Sequence, residues 1–456
     1  MYLRTYDLER TNLNSLKYIL NCIKLYTRFL HTLFILIGSF IQFNWNNFIL
    51  YLKNNEPEKR LELIKNITRR LEKLNIVYIK IFQSLCLNDN ILYDEEKDYL
   101  LKYTDNVPFL SSDIDYEIID TLRAEYNIRV DVNEALNSGV ISVVFKGIYK
   151  NKKVVIKIIK NDINRKITEA ILVMEMFIKI ISIIPYIRKL NLKKCILDNK
   201  ELLLEQTNFI KEVSNLQIFK ERNANNIEFV FPECYPEITN EHNNVIVMEN
   251  IQGLTFNDIK YFDNSVKMEF GKLLTKFTLI NILYNSAIHC DAHPGNIFFY
   301  INENTEDKPK YQVGYIDFGI VSFPSRENQN YYYIFFKEIQ TEQNFNQLDK
   351  VIICIISEKD KYINLESSIK IELLEKIKKN LQDLASNDNM DFLFFIHLSH
   401  IINSYGFSFT KEFNHICLSI QIGISLVESL CQKQNTKKVQ DEIMESFNNI
   451  NKLIEI

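Results

Sequence analysis

Glycine is scarce in this chain, with 10 residues among 456, and so are proline, with 8, and tryptophan, with one. That composition excludes collagen-like and Gly/Pro-rich low-complexity chains and makes the position of each glycine informative. The eight cysteines stand singly, at 22, 86, 195, 234, 290, 354, 417 and 431, with no C-x-x-C pair. This spacing speaks against a zinc module or a disulfide framework and fits reduced thiols in a reducing compartment. Positive charge is not in surplus: 54 Lys and Arg face 58 Asp and Glu, a formal net charge of -4. No basic field therefore recommends nucleic acid as a partner. No internal repeat is found. What the chain does have is 46% hydrophobic residues and a length that allows two or three compact units.

Residues 29 to 52 carry no formal charge, enough helix to cross a hydrocarbon core of about 30 Å. Gln42, Asn44, Asn46 and Asn47 shorten the apolar centre toward that of an interfacial or buried helix. Membrane contact stays open on this pattern, with Trp45 as an interfacial anchor. Asp7 and Glu9 precede the apolar run, which argues against a cleavable secretory signal. Arg4, Arg10, Lys17, Lys24 and Arg28 leave a mitochondrial presequence open. The location expected is membrane-associated or intracellular.

Three of the ten glycines fall between His289 and Gly319, in HCDAHPGNIFFYINENTEDKPKYQVGYIDFG. Asp291 lies five residues before Asn296, and Asn296 opens an apolar run, IFFYI, with strand character. A polar segment then reverses the chain into YQVGYI, which delivers Asp317, Phe318 and Gly319. If the two runs pair, Asn296 and Asp317 come out at one end of adjacent strands with Asp291 in the loop before them. One amide and two carboxylates suit a hard cation such as magnesium, which favours carboxylates plus substrate phosphates. The spacing D-x-x-x-x-N followed by D-F-G matches kinase chemistry, in which the first Asp handles the substrate proton and the Asn and second Asp hold metal. Asp291 is thus the catalytic candidate, and Asn296 and Asp317 the metal ligands. A plain hairpin with surface carboxylates is the bland alternative. A zinc reading of His289, Cys290 and His293 is disfavoured, because Pro294 and Gly295 oppose a helix there.

More narrowly, H-C-D-A-H-P-G-N resembles the H-x-D-P-H-P-G-N signature of the UbiB/ADCK (aarF-domain) family of atypical kinase-like proteins. Upstream, the apolar residues Leu61, Ile64, Ile67, Leu71, Leu74 and Tyr78 recur at helical steps across residues 56 to 87. Lys80 and Gln83 project from one face of that helix, and K-I-F-Q resembles the family's K-x-G-Q signature. The resemblance implies that this helix lies over the kinase-like pocket and that Lys80 and Gln83 reach the nucleotide site. Phe82 stands where the family has Gly.

Residues 126 to 160 read as a strand pair around the turn KNKK. Lys157 is the one charge in VVIKII, and a buried Lys must be paired. It matches the Lys of V-A-I-K, which holds ATP phosphates. Gly139 stands five before Val144, as the second Gly of a kinase Gly-rich loop does before its Val, and its missing Cβ would let backbone amides approach phosphate. The family usually has an Ala-rich stretch where this chain has N-S-G-V-I-S, a departure that leans toward ordinary kinases, although only one Gly of their loop is present. The helical run around 203 to 222 aligns with the family's E-x-D-[FY]-x-x-E-A-x-N helix as Gln206, Asn208, Phe209, Glu212 and Asn215. Glu212 matches its second acid, and Glu205 is a weaker candidate partner for Lys157. VIVMEN ends in Met248-Glu249-Asn250, placed like a kinase hinge that offers backbone groups to adenine. After Gly319 the chain runs at once into helical pattern, without an A-P-E or a long peptide-docking loop.

The fold expected is α+β and two-lobed, protein-kinase-like, with a helical N-terminal extension and a helical C-terminal part. Its segments are 1–55 with the apolar helix, 56–125 resembling the K-x-G-Q extension, 126–255 as N-lobe and 256–456 as C-lobe with C-terminal helices. The resemblance implies ATP and magnesium as cofactors, and an ATPase or a kinase of small molecules or lipids, with an isoprenoid or other lipid and a membrane surface as partners. A true Ser/Thr protein kinase and a nucleotide-binding pseudoenzyme or scaffold are the rivals.

Overall fold

The computed structural model describes residues 24–35, 38, 41, 57–75, 77–78, 95–96, 99, 107–181, 203–302, 308–340, 347–386, 392–431 and 438–439. The described chain mixes helices with small sheets and divides into two compact units. The first is Met1–Asn208 with Glu241–Val247, and the second is Phe209–Asn240 with Met248–Ile456.

The first unit is built on a four-stranded sheet in the order β1-β2-β3-β5, made of Arg129–Ser138, Ser142–Tyr149, Lys152–Ile159 and Val245–Glu249. The expected strand pair is β2 and β3, antiparallel and in unbroken register from Ser142↔Ile159 to Tyr149↔Lys152. Their turn places Lys150 at φ 47° and Asn151 at φ 60°. Two left-handed residues are what a right-twisted two-residue hairpin demands. The strand β1 was not anticipated. It is a mostly exposed edge strand with register shifts between Asp131 and Asn137, so its sequence lacks the alternation of a half-buried strand. Gly147 permits its close pairing, because a Cβ there would lie 2.6 Å from the Arg129 carbonyl oxygen.

Helices cover this unit. Pro57–Leu74 (α1) buries Ile64 and Leu71 with Ile163, Ile167 and Ile171 of Ile163–Ile181 (α3). The periodicity predicted α1 to continue to 87, yet it stops at Leu74. Asn75 turns the chain there: its Oδ1 accepts from the Val77 N–H at 3.0 Å and its Nδ2 donates to the Lys166 carbonyl at 2.7 Å. Between them, Tyr116–Tyr126 (α2) starts on an Asp115 cap and ends on Asn127 in the left-handed conformation.

Lys160 follows β3 and is buried, with its Nζ lacking a hydrogen-bond partner among the described residues. The Phe109 ring lies 5.8 Å away. Burial pushes its pKa down to about 8, against the pull of Asp113. Lys160→Met keeps the stem and removes the charge, so it is expected to stabilise the protein at pH 7 by about 1–4 kcal/mol. Because the folded pKa is depressed, the unfolded chain binds more protons between about 8 and 10.5, and wild-type stability rises with pH across that window. The advantage of Met should therefore shrink between pH 7 and pH 10 in denaturant titrations. A gap that stays constant or widens would show that the ammonium is compensated.

The second unit opens with Phe209–Arg222 (α4). The sequence had joined this helix to residues 203 to 208, but a turn at Gln206–Thr207 separates them, held by Thr207 Oγ1 on the Leu204 carbonyl at 2.8 Å. Further short elements are Phe229–Val230 (β4), Pro236–Glu241 (α5) and Phe256–Ile259 (α6). Asn264–Leu283 (α7) leads into the stretch singled out above. There Ile288–His289 (β6) pairs with Val321–Ser322 (β9), and Ile297–Ile301 (β7) with Tyr311–Tyr315 (β8). β4 joins β8 in parallel. Beneath this hairpin Phe219, Phe229, Phe231, Phe277, Tyr315 and Phe318 pack as one apolar cluster, with the Phe277 and Tyr315 rings stacked at 3.6 Å.

Arg326–Gln340 (α8), Leu348–Ile355 (α9), Lys359–Ile363 (α10), Ser367–Ser386 (α11) and Phe392–Ser404 (α12) form the helical C-terminal part with Lys411–Cys431 (α13). A second core lies among them, around Tyr332, Phe335, Leu373 and Phe413. Among the described residues α13 alone is long and apolar enough to cross a membrane by length and composition, and half of that stretch is buried inside the protein. Residues 29 to 52 lie largely outside the described residues.

Candidate active site

The first unit holds the candidates Gly139, Val144 and Lys157. Gly139 sits in the β1–β2 turn, where its N–H donates to the Ser142 carbonyl at 2.9 Å. A Cβ there would meet only that same oxygen, at 3.9 Å, so the space above the turn is open. Val144 lies directly across from Lys157 in the β2–β3 register, which puts both side chains on one face of the sheet. Lys157 is buried at 8% exposure. Glu205 is half-buried, at the end of the helical residues before the Gln206–Thr207 turn. Lys80 and Gln83 lie outside the described residues.

The second unit holds the candidates Glu212, Met248, Asp291, Asn296 and Asp317. Glu212 and Asn215 are both buried on α4, one helical turn apart. Asn215 Nδ2 donates to the Phe318 carbonyl at 2.9 Å, so this helix holds the D-F-G segment by its main chain. Met248, near the end of β5, forms an antiparallel bridge with Cys234, and the next N–H, of Glu249, donates to the Glu233 carbonyl at 2.6 Å.

The loop from His289 is shaped by its own side chains. His289 Nδ1 accepts from the Asp291 N–H at 3.2 Å, and His293 Nδ1 accepts from the Gly295 N–H at 3.1 Å. Pro294–Asn296 then makes one turn of 3-10 helix, not the α-helix that two zinc-binding histidines at i and i+4 would need. Asn296 Nδ2 donates to the Asp291 carbonyl at 3.0 Å, and the Asn296 carbonyl accepts from Ile316 N–H at 3.0 Å. The register Ile297↔Tyr315 places Asn296 and Asp317 at the same end of the β7–β8 hairpin. Asp317 is left-handed, φ 63°, and its Oδ1 accepts from the Gly319 N–H at 3.2 Å. A non-glycine residue held at positive φ is strained backbone, of a kind that gathers at functional sites.

Donor chemistry fits a divalent metal. The Nδ2 of buried Asn296 is committed to the Asp291 carbonyl, which turns its amide oxygen the other way. Asp317 adds a carboxylate from the neighbouring strand end. Hard oxygen donors of this number leave room for phosphate oxygens and water around magnesium. Burial pushes the His289 imidazole below its ordinary pKa, while the carboxylates of Asp291 and Asp317 pull the other way.

Two residues matter here that the sequence alone did not single out for a role. Asn215 fixes Phe318 from a helix 103 positions away, and only its place in the aligned helix hinted at it. His289 organises Asp291 through the main chain, which its position two residues earlier made readable.

An α+β scaffold with a D-x-x-x-x-N loop and a D-F-G hairpin defines an atypical kinase-like protein. Residues 131–351 match the model of the ABC1 atypical kinase-like domain. A probable protein kinase UbiB of Aliivibrio fischeri is 27% identical over 301 residues, covering 62% of this chain and 52% of that protein. The corresponding protein of Haemophilus ducreyi is 30% identical over 280 residues, covering 57% and 49%. The chain spans about half the length of the curated relatives it matches. A solved structure, the Rio2 kinase–ADP/Mg2+–phosphoaspartate complex of Chaetomium thermophilum, is similar at 13% identity with a TM-score of 0.30, covering 63% of this chain and 75% of that one. These matches support the resemblance to the UbiB/ADCK family of atypical kinase-like proteins, and the fold is protein-kinase-like.

Proposed function

We propose that the chain binds ATP with magnesium and catalyses transfer of the terminal phosphoryl group to water or to a small or lipid-like acceptor. The observation that carries this reading is the arrangement of Asp291, Asn296 and Asp317, joined by the Asn296–Asp291 and Ile316–Asn296 hydrogen bonds at one end of a hairpin. In it Asn296 and Asp317 would hold magnesium, which supplies charge neutralisation at the phosphates. Lys157, with Gly139 and Val144 on the neighbouring turn and strand, would position the phosphates, and Met248 the base. Asp291 would orient the attacking hydroxyl, so that most of the catalysis is positioning. Glu212 would serve as the acidic group of the nucleotide site, and Lys80 and Gln83 as groups reaching it from the preceding segment.

A small acceptor is favoured over a peptide by the segment after D-F-G, where β9 is followed directly by α8 from Arg326. An isoprenoid or other lipid acceptor at a membrane surface is what the UbiB/ADCK resemblance implies, while the relatives carry the name probable protein kinase. The test is a thermal shift with ATP, with and without magnesium, followed by a phosphate-release assay. A magnesium-dependent shift with release is expected. A shift indifferent to magnesium would overturn the metal assignment. A shift without release would make the protein a nucleotide-binding scaffold, and efficient phosphorylation of an added protein would make it a protein kinase.

A further inference from the structure

Five residues before Asp291 the backbone is strained at a residue with no part in the chemistry above. Ser286 follows α7 with φ 48° and is buried. Serine seldom takes that conformation, and strain of this kind persists only where the surroundings over-determine it. Here two side chains do so. Gln329 of α8 donates from Nε2 to the Leu283 carbonyl at 2.7 Å, one of the acceptors that the end of α7 leaves open, and its Oε1 accepts from the Ser286 hydroxyl at 2.6 Å. Arg222, the last residue of α4, donates from Nη1 to the Asn285 carbonyl at 3.0 Å and also to the Ser286 carbonyl.

The turn gripped by Arg222 runs through Ala287 into β6, which pairs with β9 at Ile288↔Ser322 and His289↔Val321. The next N–H, of Cys290, donates to the Ile320 carbonyl at 3.0 Å. The Arg222 guanidinium also lies 5.0 Å from the centre of the Phe323 ring, immediately after β9. One planar cation thus touches both chains of the β6–β9 pair, upstream of Asp291 and downstream of Asp317. Asn215, seven positions earlier and so on the same face of α4, holds the Phe318 carbonyl. A single helix therefore grips the D-F-G segment at Asn215 and the start of the Asp291 loop at Arg222.

We propose that Arg222 is a positioning residue for Asp291, the clamp that holds the strained Ser286 turn and the Phe323 side of the β6–β9 pair at one spacing. With the turn held, β6 presents His289, whose Nδ1 takes the Asp291 N–H. The requirement is for a guanidinium and not for a charge alone, since a lysine ammonium has no planar face to lay on Phe323 and no fork to span two carbonyls. The partners of Arg222 are Asn285, Ser286 and Phe323, none of them given a binding role above. Its loss therefore shifts Asp291 and leaves nucleotide binding in place. The kinetic part of this inference rests on the role given to Asp291 above; the hold on the turn does not.

In the full chain, Arg222→Ala and Arg222→Lys should each lower kcat for phosphate release about tenfold while KM for ATP with magnesium holds. Arg222 is exposed, so the space that Arg222→Ala vacates is open to solvent. Millimolar guanidinium chloride should then restore kcat in that variant, where sodium chloride at the same ionic strength does not. Hydrogen exchange should quicken over residues 284–292 and 320–324 and stay level elsewhere. Arg222→Lys keeps the stem and the charge, and it keeps the test decisive should Arg222→Ala fold poorly. An unchanged kcat in an active protein, a lysine that serves as well as arginine, an absence of rescue by guanidinium, or exchange quickened throughout the chain overturns the proposal. If the wild type releases no phosphate, it is the function proposed above that fails, and the exchange pattern still decides whether Arg222 holds the turn.

Discussion

Asp291→Asn is expected to leave the magnesium-dependent nucleotide thermal shift in place and to cut phosphate release by about 10²–10⁴-fold. The substitution is nearly isosteric and touches only the carboxylate. Everything that holds residue 291 in position is main chain: its N–H donates to His289 Nδ1, and its carbonyl accepts from Asn296 Nδ2. The groups proposed above to bind nucleotide and metal are others, Lys157, Asn296 and Asp317, so affinity and turnover should separate. A loss confined to kcat is the signature of a group that acts in the transition state. Phosphate release at the wild-type rate would mean that another base serves or that positioning alone suffices. A lost thermal shift would instead make Asp291 part of the binding site.

The placement of the candidate residues was legible because they are local in sequence. Asp291, Asn296 and Asp317 come from one loop and one hairpin, and a period-two pattern with a polar reversal is enough to place the two strand ends together. The β2–β3 hairpin was readable for the same reason, with KNKK marking the reversal and Lys157 the odd charge. What escaped was decided by tertiary contacts. α1 ends at Leu74 because Asn75 finds the Lys166 carbonyl 91 positions away, although the apolar period runs on. α4 begins afresh at Phe209 because Thr207 caps the preceding residues. β1 is exposed and bulged, so its hydrophobic pattern carried no strand signal.

Asparagine-rich composition hid another contact set. Asn223 Nδ2 donates to Asn281 Oδ1 at 2.8 Å, and Asn285 Nδ2 donates to Asn223 Oδ1 at 2.9 Å, which ties α4 to the end of α7 just before the loop of His289. In a chain with many Asn residues no single one announces that it is buried. Only burial, with Asn223 and Asn281 at 2% and 1% exposure, separates these from solvated ones. Such a satisfied network specifies one arrangement of its helices, because any other leaves amides unpaired.

Asp317→Asn should weaken magnesium-dependent nucleotide binding by more than about tenfold, or 1.4 kcal/mol. The charge removed is the one that would balance the cation beside the phosphates, since the Asn296 amide brings none. Folding should survive the change. Asparagine keeps an Oδ1 to accept from the Gly319 N–H, and it tolerates the left-handed φ of 63° at least as well as aspartate. The thermal midpoint without nucleotide is thus expected to stay level while the response to ATP with magnesium collapses. Titrating magnesium at fixed ATP distinguishes the two ways this could go wrong. A curve like that of the wild type would remove Asp317 from the metal site. A lowered midpoint without nucleotide would show instead that the carboxylate supports the strained turn, and that its charge matters to the fold before it matters to the metal.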